Sequence, residues 1–181
     1  PDLRAEFEMG GAVPGRLVEP MRAEAAPMGR MEIAAEAGAL QATVHTSGRA
    51  LKAHPMYEAA KAGDGDAARE LVRDFVSTDA LGILPKSDVL VVPVRERGQG
   101  NAIPRAFAEM VTEDLGLKLD VDIYKQAAAK RRGMPAAERA AARPEFEGAV
   151  TPGAKYLLLD DHVTQGGTLA ALAEHIRKGG G

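Results

Sequence analysis

Lys155-Tyr156-Leu157-Leu158-Leu159-Asp160-Asp161-His162-Val163-Thr164-Gln165-Gly166-Gly167-Thr168-Leu169 reads as a strand, a loop and the first turn of a helix. Tyr156 to Leu159 is apolar without polar alternation, which suits a strand covered on both faces. Asp160 and Asp161 fall where that strand ends. Thr164 to Thr168 is a small turn carrying two glycines, and an apolar, helix-forming pattern follows. A tight loop feeding a helix N-terminus offers free backbone N–H groups and the positive end of the helix dipole, so it favours a phosphate. Two adjacent carboxylates would repel that phosphate. They suit sugar hydroxyls, or a metal shared with a diphosphate.

Working upstream, residues 88–94 (Asp-Val-Leu-Val-Val-Pro-Val) form a second apolar strand, followed by the loop Arg95 to Asn101. Pro104 opens a helix that runs to about Leu115 and is closed by Gly116. Residues 119–125 alternate and read as a further strand, and 168–178 as the last helix. Strands alternating with helices imply an α/β fold: a parallel sheet with right-handed crossovers and helices on both faces. Ligands in such sheets sit beyond the carboxyl ends of the strands. The loops after 94 and after 159 are therefore expected to converge on one cleft.

The N-terminal part is less regular. Residues 1–30 carry Pro1, Pro14, Pro20 and Pro27 and hold no period, which reads as a linker or extended arm. Met31 to Ala35 and Leu40 to His45 suit a small hairpin. Residues 55–77 read as helix, opened by His54-Pro55 and interrupted at Asp64-Gly65-Asp66. The segment 31–86 is thus a helical region in front of a core spanning 87–181. The chain starts at Pro1 rather than Met and stops at Gly179-Gly180-Gly181 directly after a helix pattern, so the core is expected to be truncated at its C-terminus.

Composition narrows the classes of function. The 181 residues are 45% apolar and 27% charged, ordinary for a globular chain. A net charge of −3 supplies no global basic field for nucleic acid. Aromatic content of 4% without Trp leaves few stacking surfaces for single strands. There is no cysteine, no apolar run approaching the roughly 18 residues of a membrane span, and no secretory signal. These features fit a cytoplasmic protein.

The run LLLDDHVTQGGTL resembles the PRPP-binding signature of type I phosphoribosyltransferases: apolar residues, two acidic residues, then a loop ending Thr-x-Gly-Gly-Thr. The resemblance implies a three-layer αβα fold and transfer of 5-phosphoribose from PRPP to a nitrogen acceptor, with release of diphosphate. It assigns the 5′-phosphate to Thr164, Gln165, Gly166, Gly167 and Thr168, and the ribose hydroxyls to Asp160 and Asp161. Gln165 stands where a small or hydroxyl residue is commoner. Adjacent residues at a strand end point to opposite sides, so the two aspartates are not expected to be equivalent. The diphosphate would meet Arg95, Arg97 and Gly98, the alternative being arginines on a surface turn. Mg²⁺ is the implied cofactor, carried by PRPP and water without a direct protein ligand.

Residues 125–147 resemble the mobile loop that closes over PRPP, with Lys125, Lys130, Arg131, Arg132, Arg139 and Arg143. Arg131, Arg132 and Arg139 are the catalytic candidates there. The spacing Arg131-Arg132, Glu138-Arg139, Phe146-Glu147-Gly148 is similar to the ComF-like branch of the family. The competing reading is a solvated alanine-rich helix. His162 is read as a bystander, and His45, His54 and His175 show no metal-site pattern. The implied partners are PRPP and an unidentified base or small acceptor, with no nucleic acid and no membrane; a homodimer is compatible with the resemblance. The alternative is a regulatory or ComF-like accessory domain that binds PRPP or a nucleotide without catalysis.

Overall fold

The computed structural model describes residues 29–33, 40–77, 81–98, 100–126, 144–163 and 166–181. The elements run β1 (Gly29–Ile33), β2 (Leu40–Val44), α1 (Gly48–Ala53), α2 (Tyr57–Lys61), α3 (Gly65–Phe75) and β3 (Val89–Pro93). They continue with α4 (Ile103–Leu115), β4 (Lys118–Leu119), β5 (Tyr124–Lys125), β6 (Phe146–Glu147), β7 (Lys155–Leu159) and α5 (Gly167–Lys178). The chain is mixed α/β, and its central sheet is parallel, with strand order β4-β3-β7.

The apolar runs read from the sequence explain the layering. In β3, Val91 and Val92 are both fully buried but belong to different apolar clusters. Val91, with Leu157 and Leu159 of β7, packs against Leu71 and Val72 of α3 and Phe107 and Val111 of α4. Val92, with Tyr156 and Leu158, packs against Leu169, Leu172 and Ile176 of α5 and against Ile123 and Phe146. Successive side chains of a strand point to opposite faces, so each face needs its own cover. The helical region before β3 and the sheet therefore share one core cluster, which also includes Leu51 of α1.

Caps set the helix limits. Asp64 accepts from the N–H groups of Asp66 (2.9 Å) and Ala67 (3.0 Å), which starts α3. Gly116 ends α4 in the left-handed region, φ 65°, with its N–H on the Thr112 carbonyl. The expected hairpin is present: β1 and β2 are antiparallel, with Gly29 opposite Val44 and Ile33 opposite Leu40.

Several expectations change. The interruption read at Asp64-Gly65-Asp66 is present, separating α2 from α3, but an unexpected α1 precedes them. Ser47 caps α1 by accepting from the Ala50 N–H at 3.0 Å. The helix stops at His54, whose backbone is extended because it precedes Pro55. The single strand read over 119–125 is two short pieces. The Asp120 carboxylate accepts from the Asp122 N–H at 2.9 Å and turns the chain between them. Phe146 and Glu147, read as part of a mobile loop or helix, instead form β6, antiparallel to β5. Lys125 belongs to β5 rather than to that loop. Gly29 and Arg30, read as the end of the arm 1–30, instead belong to β1, while the rest of that arm and the basic stretch 127–143, with Arg131, Arg132 and Arg139, lie outside the described residues. Among the described residues, no helix is long and apolar enough to cross a membrane.

Candidate functional site

Parallel pairing brings two strand ends to one edge. Pro93 lies opposite Leu159, and the Val94 N–H donates to the Leu159 carbonyl at 2.7 Å. The loop after β3 and the loop after β7 thus leave the sheet side by side, as expected. Between them is a polar cavity of about 260 Å³. Arg95, Glu96 and Asn101 reach it from the first loop, and Asp160 and Asp161 from the second. Thr168, in the first turn of α5, closes one side, while Lys125 of β5 and Lys61 of α2 complete the wall.

The two carboxylates differ. Asp161 is held by the Lys61 ammonium, Nζ to Oδ2 2.9 Å, and its side chain is only 9% exposed. Burial pushes against its charged form. The hydrogen bond and charge of Lys61, with hydrogen bonds from Asp160 and Asn101, outweigh burial and hold its carboxyl below the ordinary range. Burial acts on Lys61 in the opposite sense to Asp161, whose hydrogen bond and charge prevail and raise the Lys61 pKa. Asp160 accepts from the Asp161 backbone N–H at 2.9 Å. Burial, then the adjacent Asp161 charge, pushes Asp160 up to about 7, with Lys125 opposing. The pair presents one fixed anion and one carboxyl that titrates near neutrality.

Arg95 reaches the cavity, but its guanidinium also donates to the Val121 carbonyl and stands 5.9 Å from the Tyr124 ring centroid. Its buried Nε has no partner among the described residues. Arg97 lies over the same ring at 4.9 Å, off the cavity wall. Gly98 has φ 97°, a conformation that favours glycine, and also lies off the wall. Thr164 and Gln165 lie outside the described residues. Gly166 has φ 74° and precedes α5, and a Cβ on Gly167 would meet nothing within 4 Å.

A second, mostly apolar cavity of about 440 Å³ runs past β7 and shares Asp160, Asp161 and His162 with the polar one. His162 packs on α1, where a Cβ on Gly48 would stand 2.8 Å from its Nε2. His45 lines the apolar cavity edge-on to Phe107, ring centroids 5.2 Å apart, and burial lowers its pKa.

Sequence reasoning missed Lys61 and Asn101. Asn101 carried a faint signal as a capping type just before the Pro104 helix; its Oδ1 accepts from the Ile103 N–H at 3.2 Å. Lys61, 100 positions from Asp161 in the chain, carried none.

Among the described residues, no three His, Asp or Glu side chains gather to hold a metal. Mg²⁺ keeps several waters and binds through substrate phosphates, so it needs no such cage. Glu96, Asp160 and Asp161 on the cavity wall are carboxylates of the kind that accept from an Mg²⁺ ion's waters.

No family model matches the chain, and no solved structure matches it. Protein TraN of Escherichia coli is 38% identical over 133 residues, covering 70% of this chain and 30% of that protein. An uncharacterized protein of Haemophilus influenzae is 36% identical over 132 residues, covering 69% of this chain and 29% of that protein. The chain thus spans under a third of the length of the curated relatives it is similar to.

Proposed function

We propose that this chain is a PRPP-binding domain with the type I phosphoribosyltransferase fold, transferring 5-phosphoribose to a nitrogen acceptor. The observation that carries the reading is the joint position of Asp160, Asp161 and the start of α5 around one polar cavity at the carboxyl edge of a parallel sheet. A phosphate suits the N–H groups and hydroxyl at Gly166 to Thr168. The ribose hydroxyls suit the carboxylates, and the diphosphate suits Arg95 and Lys125. In the reaction, the bond from ribose C1 to diphosphate breaks, the diphosphate leaves with the electron pair, and a nitrogen lone pair forms the new bond to C1. Mg²⁺, when bound, neutralises charge on the departing diphosphate. The chain's own cations stabilise the same charge, and the walls of the site hold ribose in line with the acceptor.

The test is diphosphate release from PRPP with Mg²⁺ and a panel of purine, pyrimidine and non-nucleobase acceptors. Release dependent on one acceptor supports transfer. The position of Arg97 over Tyr124, off the cavity wall, favours a second reading as a binding domain without turnover. PRPP binding without release under any acceptor would select that reading.

A further inference from the structure

Two adjacent carboxylates facing one ligand look interchangeable, but their surroundings give them different tasks. Asp161 is reached from two elements outside its own loop. From α2 comes the Lys61 ammonium at 2.9 Å, and from the loop after β3 comes the Asn101 side chain. Both tethers are themselves fixed. Asn101 is pinned by the Ile103 N–H on its Oδ1. The end of α2 is docked on that same loop. The Ala102 N–H donates to the Ala60 carbonyl at 2.9 Å, and a Cβ on Gly63 would lie 3.0 Å from the Gly100 carbonyl oxygen. Lys61 therefore projects from a backbone locked to the cavity rim. Among the described residues Asp160 has no comparable tether: its hydrogen bonds there are with Asp161.

Resting on the phosphoribosyl reading, we propose that Lys61 is a positioning residue: with Asn101 it occupies and orients Asp161, leaving Asp160 as the carboxylate that accepts the ligand's sugar hydroxyl. The helical segment before β3 is then part of the site, because it supplies the cation that makes the two aspartates unequal. Among the described residues, the charged and titratable groups around the pair are Lys61 and, acting on it, Tyr57 from α2, Arg95 and Glu96 from the loop after β3, Lys125 from β5, His162 next to Asp161, and His45 and Tyr156 on the shared apolar cavity.

The test is calorimetric titration with PRPP and Mg²⁺ between pH 5.5 and 8.5, on the wild-type chain and on Lys61→Met, Lys61→Arg, Asp160→Asn and Asp161→Asn. Wild-type affinity should rise with pH through about 7, as Asp160 loses its proton. Lys61→Met frees Asp161 to share that proton. Its profile should move to higher pH, and a displacement of about one pKa unit would lower affinity at pH 7 about fivefold. Lys61→Arg should restore the wild-type profile, and Asp160→Asn should lose more affinity than Asp161→Asn. If Lys61→Met does not fold, Lys61→Gln, of similar reach but uncharged, should give the same displacement. Wild-type binding with an unmoved profile in the uncharged variants, or equal losses in the two Asn variants, overturns this inference alone. Absence of wild-type binding overturns the phosphoribosyl reading, and this inference with it.

Discussion

The Lys61 ammonium and the Asp161 carboxylate meet at 2.9 Å across 100 positions of chain, tying the helical segment before β3 to the loop after β7. Asp161 is nearly buried while the Lys61 side chain is 36% exposed. Removing one partner of a buried pair leaves an uncompensated charge, and water near Lys61 moderates the cost. Lys61→Met should lower stability by about 1–2 kcal/mol, read from urea denaturation at pH 7. A loss below a few tenths would mean that the pair contributes nothing to folding.

Asp160 should make the chain less stable as pH rises. Its folded pKa, about 7, lies above the ordinary 3.8, so the native state holds a proton that the unfolded chain releases. The stabilisation is complete below pH 4 and is lost as pH rises through about 7. Asp161 works the other way: its depressed pKa gives stability present above the ordinary 3.8 and lost as pH falls through its folded value. His45 likewise loses stability on acidification, because its folded pKa lies below 6.5. The difference between Asp160→Asn and wild type reads the Asp160 contribution together with its coupling to Asp161. The variant should gain on wild type between pH 5 and 8, by on the order of 2 kcal/mol. A pH-independent difference in denaturation midpoints would contradict the assignment.

Two left-handed glycines should separate under substitution. Gly148, φ 117°, sits where a Cβ would run into the Asp122 carbonyl oxygen, beside the β5–β6 pair. Gly153, φ 75°, has open space around it. Gly153→Ala should cost about 1–2 kcal/mol from backbone conformation alone. Gly148→Ala adds overpacking of about 1–3 kcal/mol. Equal denaturation midpoints for the two variants would show that the Gly148 contact relaxes freely.

The two faces of the sheet should behave as independent cores. Leu71 and Leu172 are fully buried, in separate clusters on opposite faces. Each Leu→Ala change should cost about 2–5 kcal/mol. Their costs should add within about 0.5 kcal/mol, as for sites without shared partners. Double-mutant unfolding measures this, and a larger coupling would mean that the sheet transmits strain between its faces.

The sequence made the centre of the fold legible where one local signal dominated. β3 and β7 announced themselves as unbroken apolar runs, and α4 was bracketed by Pro104 and Gly116. The convergence of the two loops followed from parallel pairing. Legibility failed where a side chain overrode the pattern. Asp120 turned an alternating stretch into two short strands, and Ser47 capped a helix where the preceding residues read as strand. The candidate site divides the same way. Asp160, Asp161, Thr168 and Arg95 were legible from the strand–loop–helix pattern and stand on the cavity wall. Arg97 was drawn away by the Tyr124 ring, which lies 27 positions downstream and gave no local sign. Lys61 depends on how α2 docks on the Gly100–Ala102 loop, a tertiary fact with no periodicity to betray it.

PRPP binding at this site is read by calorimetric titration of the wild-type chain with PRPP at pH 7.5, with and without Mg²⁺. Saturable binding that Mg²⁺ strengthens and Asp160→Asn weakens is the expected result. A folded chain giving no binding heat at millimolar PRPP, with or without Mg²⁺, would contradict it.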